Sequence, residues 1–504
     1  MGRGRYKQIY DNIYGYIDFD RDLFDCILKD PFFLRLHNLK QMGLTYYVYP
    51  DALHTRYAHS LGVYSAVNRI MDAQKYFNNP VDITPTDKEK IMFSALLHDI
   101  GHLPLSHTIE AALEEFSELE KTSNINNTSF LDIEESFFKN DLLKSNDSVY
   151  RSIKKPRVAL HEKLGEYVLS SSKIASFLES KGIAPLEIST GFKGDIGYAQ
   201  VNEFESTSFY NRQIRNFLHS QLDADRIDYL LRDSGFSGLK SGSFDIDKLL
   251  SSIVYDADAN YGIDESSIRA LEQFFISRFV AYCQIVGNKK VMAFEYMAKD
   301  FYLRLLKLRK QQKYHLSIRL YSYSDLTTDV LIHRPSEFLA FTDDYFFSLI
   351  REVISKEDSI NNFDPIVVKY AKMITEVQPL TSVTYFETFE DRESEPCFIN
   401  SLKQDVELQM DLSESTGIPL EEIIIPKPLK IALYKEDEDP IQVFQSRDQI
   451  KYHDISQSPA SLLSYLKAKT YIIYRVYTFN KDNAEKLRVR MKELAKDYRF
   501  KGDL

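Results

Sequence analysis

The chain has 504 residues, a net charge of −11, 44% hydrophobic residues and three cysteines, room for roughly two to four ordinary domains. It contains no apolar run of about eighteen residues, so no membrane-spanning helix is expected, and Met1 to Lys7 lack the apolar core of a secretion signal. Cys26, Cys283 and Cys397 are too scattered for a disulfide framework or a zinc knuckle, which points to a reducing, cytoplasmic setting, and the acidic balance argues against broad nucleic-acid binding.

An aromatic-rich opening, Tyr6 to Phe19, precedes an expected helix over Arg21 to Leu28, which Asp30-Pro31 breaks. Phe33, Leu36 and Leu39 recur with helical spacing between Phe32 and Met42. Leu44 to Tyr49 is aromatic and β-prone. His54-Thr-Arg-Tyr-Ala-His-Ser-Leu-Gly62 then leads into an apolar helix, Val63 to Tyr76. Arg56 and His59, three apart, share a helix face, where they suit either a phosphate and a metal or a satisfied core. A helix from Asp87 ends at His98-Asp99, since Gly101 and Pro104 oppose its continuation, and His102 and His107 follow. A buried His-Asp pair is costly unless something pairs with it, and a divalent cation accepts both imidazole and carboxylate.

An amphipathic helix is expected from His107 to about Leu119, then a polar surface insertion at about 120–156, with Phe130, Leu131, Phe137 and Phe138 as its apolar content. His161-Glu162 opens the next helix, either as a site or as a favourable helix start. Ser189 to Ser208 reads as a loop, and Phe209 as the start of one long helix running through Gln221-Leu-Asp-Ala-Asp-Arg-Ile-Asp-Tyr-Leu-Leu-Arg-Asp233. On a helix, Asp225, Tyr229 and Arg232 align, as do Arg226, Tyr229 and Asp233. Asp264 to Gln311 reads as a very long helix kinked at Gly287, with Arg278, Tyr282 and Lys289 on one face as groove-lining groups or as ordinary surface ones. Cys397–Leu408, Leu429–Tyr434 and Tyr471–Tyr477 look like strands and Asn483–Asp497 like a helix. The expectation is a mainly α protein: a helical core at 1–310, a helical extension at 311–378 and a smaller α+β C-terminal lobe at 379–504.

His59, His98, Asp99 and Asp225 offer four ligands to one cation with positions left open. Arg-Tyr-Ala-His-Ser-Leu-Gly62, Leu-Leu-His-Asp-Ile-Gly-His-Leu-Pro-Leu-Ser-His107 and the run from Asp223 to Asp233 together resemble the HD-domain deoxynucleoside triphosphate triphosphohydrolase family, over most of the chain. The resemblance implies an HD-domain helical core, one divalent metal ion per subunit (Mg, Mn, Fe, Ni or Zn), further Mg carried by the nucleotide, and hydrolysis of a dNTP to deoxynucleoside and triphosphate. It implies triphosphate contacts from Arg56, Arg226, Tyr229 and Arg278, and a scissile-bond environment made by His102, His107 and His161, with His107 as the favoured acid. It places Gln41 and Met42 at the sugar, and Asp233 either at the sugar 3′ hydroxyl or orienting a neighbour. It also implies an activating or inhibiting nucleotide, assembly as a dimer or tetramer, and in some relatives a role in antiviral defence.

Val286-Gly287-Asn288-Lys289 departs from the family's Tyr-Gln-His-Lys, which removes an aromatic and an amide from the sugar's surroundings. Lys29 and His37 replace an acidic and a basic regulatory position, so guanine-specific activation is not carried over. Competing readings are an HD phosphodiesterase acting on a cyclic nucleotide or nucleic-acid end, and a non-catalytic nucleotide sensor.

Overall fold

A computed structural model describes residues 6–77, 81–126, 158–192, 209–256, 258, 260–362, 364–391, 405–434, 440–445, 452–459, 461–467 and 469–497. The principal helices are α1 (Arg56–Ala73), α2 (Pro85–Leu97), α3 (His107–Asn126), α4 (Leu160–Ser171), α5 (Phe209–Leu218), α6 (Ala224–Ser237), α7 (Ile268–Ala281), α8 (Lys289–Lys310), α9 (Asp343–Ser355), α10 (Pro365–Thr375), α11 (Asp405–Thr416) and α12 (Lys481–Asp497). The architecture is mainly helical, with a smaller sheet-containing portion. Strands β1 (Tyr6–Asp11) and β2 (Gly15–Asp20) form an antiparallel hairpin. Strands β3 (Ile253–Tyr255), β4 (Tyr261–Asp264), β7 (Gln442–Phe444) and β8 (Tyr452–Asp454) form one sheet, and β5 (Thr381–Asp391), β9 (Lys469–Thr478) and β6 (Leu429–Ala432) another. Because β4 pairs in parallel with β7, the C-terminal segment is stitched into the sheet that precedes α7.

The site is positioned by α1, which packs against both α2 and α6. Thr55 caps α1, and Thr84 with Pro85 starts α2 at the position where a missing N–H is harmless. Leu61 and Val67 of α1, Leu96 and Leu97 of α2, and Ile227 and Leu230 of α6 are buried at their contacts. Each such side chain contributes roughly 1.5–3 kcal/mol over an exposed one. Burying the apolar faces forces the polar ends of all three helices, His59, His98 and Asp225, into one region.

Four expected elements are replaced. The β-prone Leu44–Tyr49 stretch is a 3-10 turn, Gly43–Tyr47, whose Tyr47 ring packs edge-on against Phe294 of α8; tertiary packing overrides β propensity. Helical spacing between Phe32 and Met42 survives only as a short helix, Pro31–Leu34, and a 3-10 turn, Arg35–Asn38. The long helix from Phe209 is two helices, because Asp223 turns its side chain back to accept the Arg226 N–H and so caps a new helix. Residues Asp405 to Leu408, expected in a strand, begin α11. The kink at Gly287 is observed as a π turn, Tyr282–Val286, followed by Asn288 capping α8. There, a Cβ on Gly287 would collide with Ile473 of β9. The polar insertion lies outside the described residues except for its first few, which continue α3.

Candidate functional site

His59, one turn into α1, is buried with both nitrogens in defined roles. Its Nδ1–H donates to Asp228 Oδ2 at 2.7 Å. His98, which ends α2, donates its Nδ1–H to Ala95 O at 2.9 Å. Each bond commits Nδ1 as the donor and leaves Nε2 as the atom that takes either a proton or a cation. Both Nε2 atoms are buried and make no hydrogen bond, although Asp225 Oδ1 stands 2.9 Å from one and 3.7 Å from the other. One ligand atom from each of His59, His98 and Asp225 lies within 4.8 Å of the other two. Two idle imidazole nitrogens facing a carboxylate in a buried pocket suit a divalent cation. Asp225, with 32% of its side chain exposed, forms the open side.

Asp99 stands beside this set. Its Oδ2 is 3.6 Å from His59 Nε2 and its Oδ1 is 3.4 Å from His98 Nε2, but Oδ2 also receives Arg56 Nη1 at 2.5 Å. Burial disfavours its charge, yet Arg56, His98 and His102 together hold the Asp99 carboxyl well below the usual range. Asp225 behaves alike: burial opposes ionisation, and His59 and His98 outweigh it. Burial also disfavours a charged His59, but Asp225 and Asp228 override this and raise its pKa to about 10. That proton is the one a cation would displace.

Behind His59 runs a buried ladder. Asp228 accepts Arg232 Nε and Nη2, each at 2.9 Å, and Arg232 Nη1 reaches Asp11 of β1 at 2.8 Å. Gly62 makes room for it, since a Cβ there would collide with Asp228 Oδ1 and Arg232 Nη2.

A second cluster lies across Asp99. His102 Nε2 is 3.1 Å from Asp99 Oδ1. The His102 and His161 rings stack at 4.0 Å, and His107 stands edge-on to both. Glu110, one turn into α3, joins them: His107 Nδ1 is 3.1 Å from its Oε2, and His161 Nδ1 is 2.9 Å from its Oε1. Despite burial, the histidines hold Glu110 far below the ordinary carboxylate range. His161 is raised, Glu110 prevailing over burial, whereas burial, Arg56 and His161 lower His102. One ligand atom from each of His102, His107, Glu110 and His161 also lies within 4.8 Å of the others.

A cavity of about 700 Å³ reaches the second cluster at His107 and the first through Arg56, the partner of Asp99. Gln41, Met42, Tyr229 and Asp233 line it too, together with Glu115, Glu295 and Lys299. His54 Nε2 meets Asp233 Oδ1 at 2.8 Å. Val286 is in the wall. Arg226 is tied to Asp223 Oδ2 at 2.5 Å and to Ser220 O. Arg278 lies 5.7 Å from the Tyr282 ring centroid, with its Nε buried and unbonded, and Tyr282 shares a 3.2 Å hydroxyl contact with Tyr229. The chain thus brings the four expected ligands, the three histidines and the sugar-side residues together, whereas Arg56 and Arg226 are already paired with carboxylates. Sequence reasoning gave no role to Asp228, Glu110 or His54. Their signals were a carboxylate one turn after Asp225, a His-x-x-Glu pair on one helix face, and a histidine at the head of the Arg56 motif.

The HD domain family model matches residues 56–155. A protein of unassigned function from Mycoplasma genitalium is 29% identical over 291 residues, 56% of this chain and 57% of that one. The chain spans only a little over half the length of this relative and of its Mycoplasma pneumoniae counterpart. Bos taurus deoxynucleoside triphosphate triphosphohydrolase SAMHD1 is 24% identical over 446 residues, 86% of this chain and 68% of that one. A Bacteroides thetaiotaomicron phosphohydrolase structure shares the fold with a TM-score of 0.64 at 21% identity, covering 94% of this chain and all of that one. A hypothetical protein from Aquifex aeolicus does so at 0.63 and 23%, covering 96% of this chain and all of its own. No described helix is long and apolar enough to cross a membrane. By motif and family model residues 56–155 carry an HD domain, and over most of its length the chain is similar, at low identity, to a deoxynucleoside triphosphate triphosphohydrolase.

Proposed function

We propose that the chain hydrolyses deoxynucleoside triphosphates to deoxynucleoside and inorganic triphosphate, using one divalent cation held by His59, His98, Asp225 and Asp99. The observation that carries this reading is a cation-type donor set beside a histidine cluster, with His107 of that cluster and Arg56, the partner of Asp99, both in the lining of one cavity. Its volume lies within the usual range for small-molecule sites, roughly 300–1,000 Å³. When bound, the cation lowers the pKa of water and offsets charge on phosphoryl oxygens.

The protein's own groups supply the rest. His107 faces the cavity with Nδ1 held by Glu110, so its other nitrogen presents a proton to the departing 5′ oxygen, as a general acid must. His161 shares the same carboxylate and serves as the adjoining proton reserve. Arg56 and Tyr229 in the cavity lining, with Arg226 and Arg278 beside Tyr229 and Tyr282, bias it toward anions. Asp233, oriented by His54, accepts a sugar hydroxyl, with Gln41 and Met42 alongside. With Val286 in the wall in place of an aromatic, discrimination by sugar stacking is expected to be weak. Nucleotide regulation and homo-oligomer formation belong to the same proposal.

Purified protein supplied with each dNTP and Mg, Mn or Co is expected to release triphosphate. Release of pyrophosphate or a monophosphate instead overturns the cleavage position. A second reading, phosphodiester hydrolysis with two metals, is favoured by the ligand-like spacing of His102, His107, Glu110 and His161. Two metal ions bound per subunit would select it; one selects the first reading.

A further inference from the structure

The loop from His102 to His107 is the strained part of the site. Leu105 and Ser106 are consecutive non-glycine residues with φ of 52° and 56°. L-residues hold that left-handed backbone only where their surroundings enforce it. The enforcement comes from a helix far along the chain. Asp343, first residue of α9, accepts the Leu105 N–H through Oδ1 at 2.8 Å and the Lys40 N–H through Oδ2 at 3.0 Å. The Lys40 ammonium adds a contact at 3.6 Å. Asp343 is only 2% exposed, so its charge is tolerated because these donors surround it.

Its two backbone partners lead into two separate stretches of the cavity wall. Lys40 leads into Gln41 and Met42; Leu105 leads through Ser106 into His107. The two stretches are further joined by Ser106, whose Oγ lies 3.0 Å from both Lys40 O and Gln41 O and accepts Arg56 Nε at 3.1 Å. Packing leaves little slack, since a Cβ on Gly43 would stand 3.3 Å from Leu105 O. The His107 ring, with a side chain 71% exposed, has Glu110 as its hydrogen-bond anchor. Its placement over the cavity therefore depends on the backbone that delivers it.

We propose that Asp343 is a positioning residue for hydrolysis: its carboxylate clamps the Leu105 and Lys40 amides, and so sets where His107 stands relative to Arg56 and Gln41. This rests on the reading of His107 as the acid. It makes the helical segment after α8 part of the catalytic apparatus, although α9 contributes no described lining to the cavity.

The test compares Asp343→Asn, His107→Ala and the double variant by triphosphate release, metal content and amide hydrogen exchange. An Asn side chain offers one acceptor oxygen and turns an NH₂ group toward the other N–H, so one amide loses its partner. A misplacement on the order of 1 Å costs about 10²-fold in rate. Asp343→Asn should lower kcat by roughly 10- to 100-fold with KM and bound metal nearly unchanged. Leu105 or Lys40 exchange should accelerate while the Ile227 amide in α6 keeps its protection. The double variant should be no slower than His107→Ala. Wild-type kcat in Asp343→Asn, or unchanged exchange at both Leu105 and Lys40, overturns the inference. So does a double variant that loses the product of the two single effects. If His107→Ala turns over normally, the acid assignment fails and this inference with it; if His107→Ala is inactive and Asp343→Asn is normal, this inference alone fails.

Discussion

Two clusters of the same residue types face each other across Asp99, and they are built on opposite rules. In the His59–His98–Asp225 set each imidazole has Nδ1 committed, to Asp228 or to Ala95 O, and Nε2 idle. Orientation is locked from behind by Asp228, Arg232 and Asp11. In the His102–His107–Glu110–His161 set two histidines share one carboxylate, and one of them is largely exposed. The spacing of donors is similar in both. What separates them is whether protons have a fixed address, which suits the first to holding a cation and the second to moving a proton.

Asp225→Ala tests that division most severely. It removes the open-side carboxylate and should abolish both bound metal and turnover, a fall on the order of 10³-fold or more, read by metal analysis and product assay. Glu110→Gln should separate the functions: metal content stays, while turnover falls by about 10²- to 10⁴-fold, the usual range for general acid–base catalysis. Its stability effect has a defined pH window. The lowered Glu110 carboxyl contributes stability present above its unfolded pKa, about 4.3, and lost as pH falls through the folded value. The raised His161 contributes stability fully present below about 6.5 and lost as pH rises through its folded value. The Tm gap between wild type and Glu110→Gln should therefore be widest between the unfolded pKa of Glu110 and that of His161, and narrow as pH rises through the folded pKa of His161.

Sequence reached the first cluster more fully than the second, for a physical reason. His98-Asp99 at a helix end and His59 behind Arg56 announce themselves locally, because ligands must sit where apolar helices stop. Asp228 lies within the run from Gln221 to Asp233, but its role exists only because α6 packs on α1 at Gly62. Glu110 was one helix turn from His107 and readable as a pair; what hid it was His161, brought in from α4. Asp343 carries no motif, since its hydrogen-bond donors are two backbone amides from distant segments. The same limit hid the β4–β7 pairing, a contact between distant segments. The break between α5 and α6 was missed because apolar periodicity ran through it, while the stop signal was a single carboxylate folding back as a cap.

Asp228→Asn probes the lock rather than the ligands. An amide keeps the shape but weakens the orientation and basicity it gives His59, and such changes typically cost 10- to 100-fold in metal affinity. Titration with Mn or Co should show that loss, with the activity of the fully loaded enzyme much less affected. A loss as large as that of Asp225→Ala would instead make Asp228 a ligand and dissolve the contrast between locked and unlocked clusters.

Gly62→Ala gives the smallest effect on the site and isolates position from charge. The added methyl would collide with Asp228 and Arg232, both buried, so the pair must shift together or α1 must move from α6. Overpacking of this kind costs about 1–3 kcal/mol, measurable by denaturant unfolding. Metal affinity should fall by less than in Asp228→Asn, because the carboxylate and its Arg232 partner survive and can follow His59. An equal or larger affinity loss would mean that the lock works through the exact seating of α6 on α1, and that the charge on Asp228 is secondary.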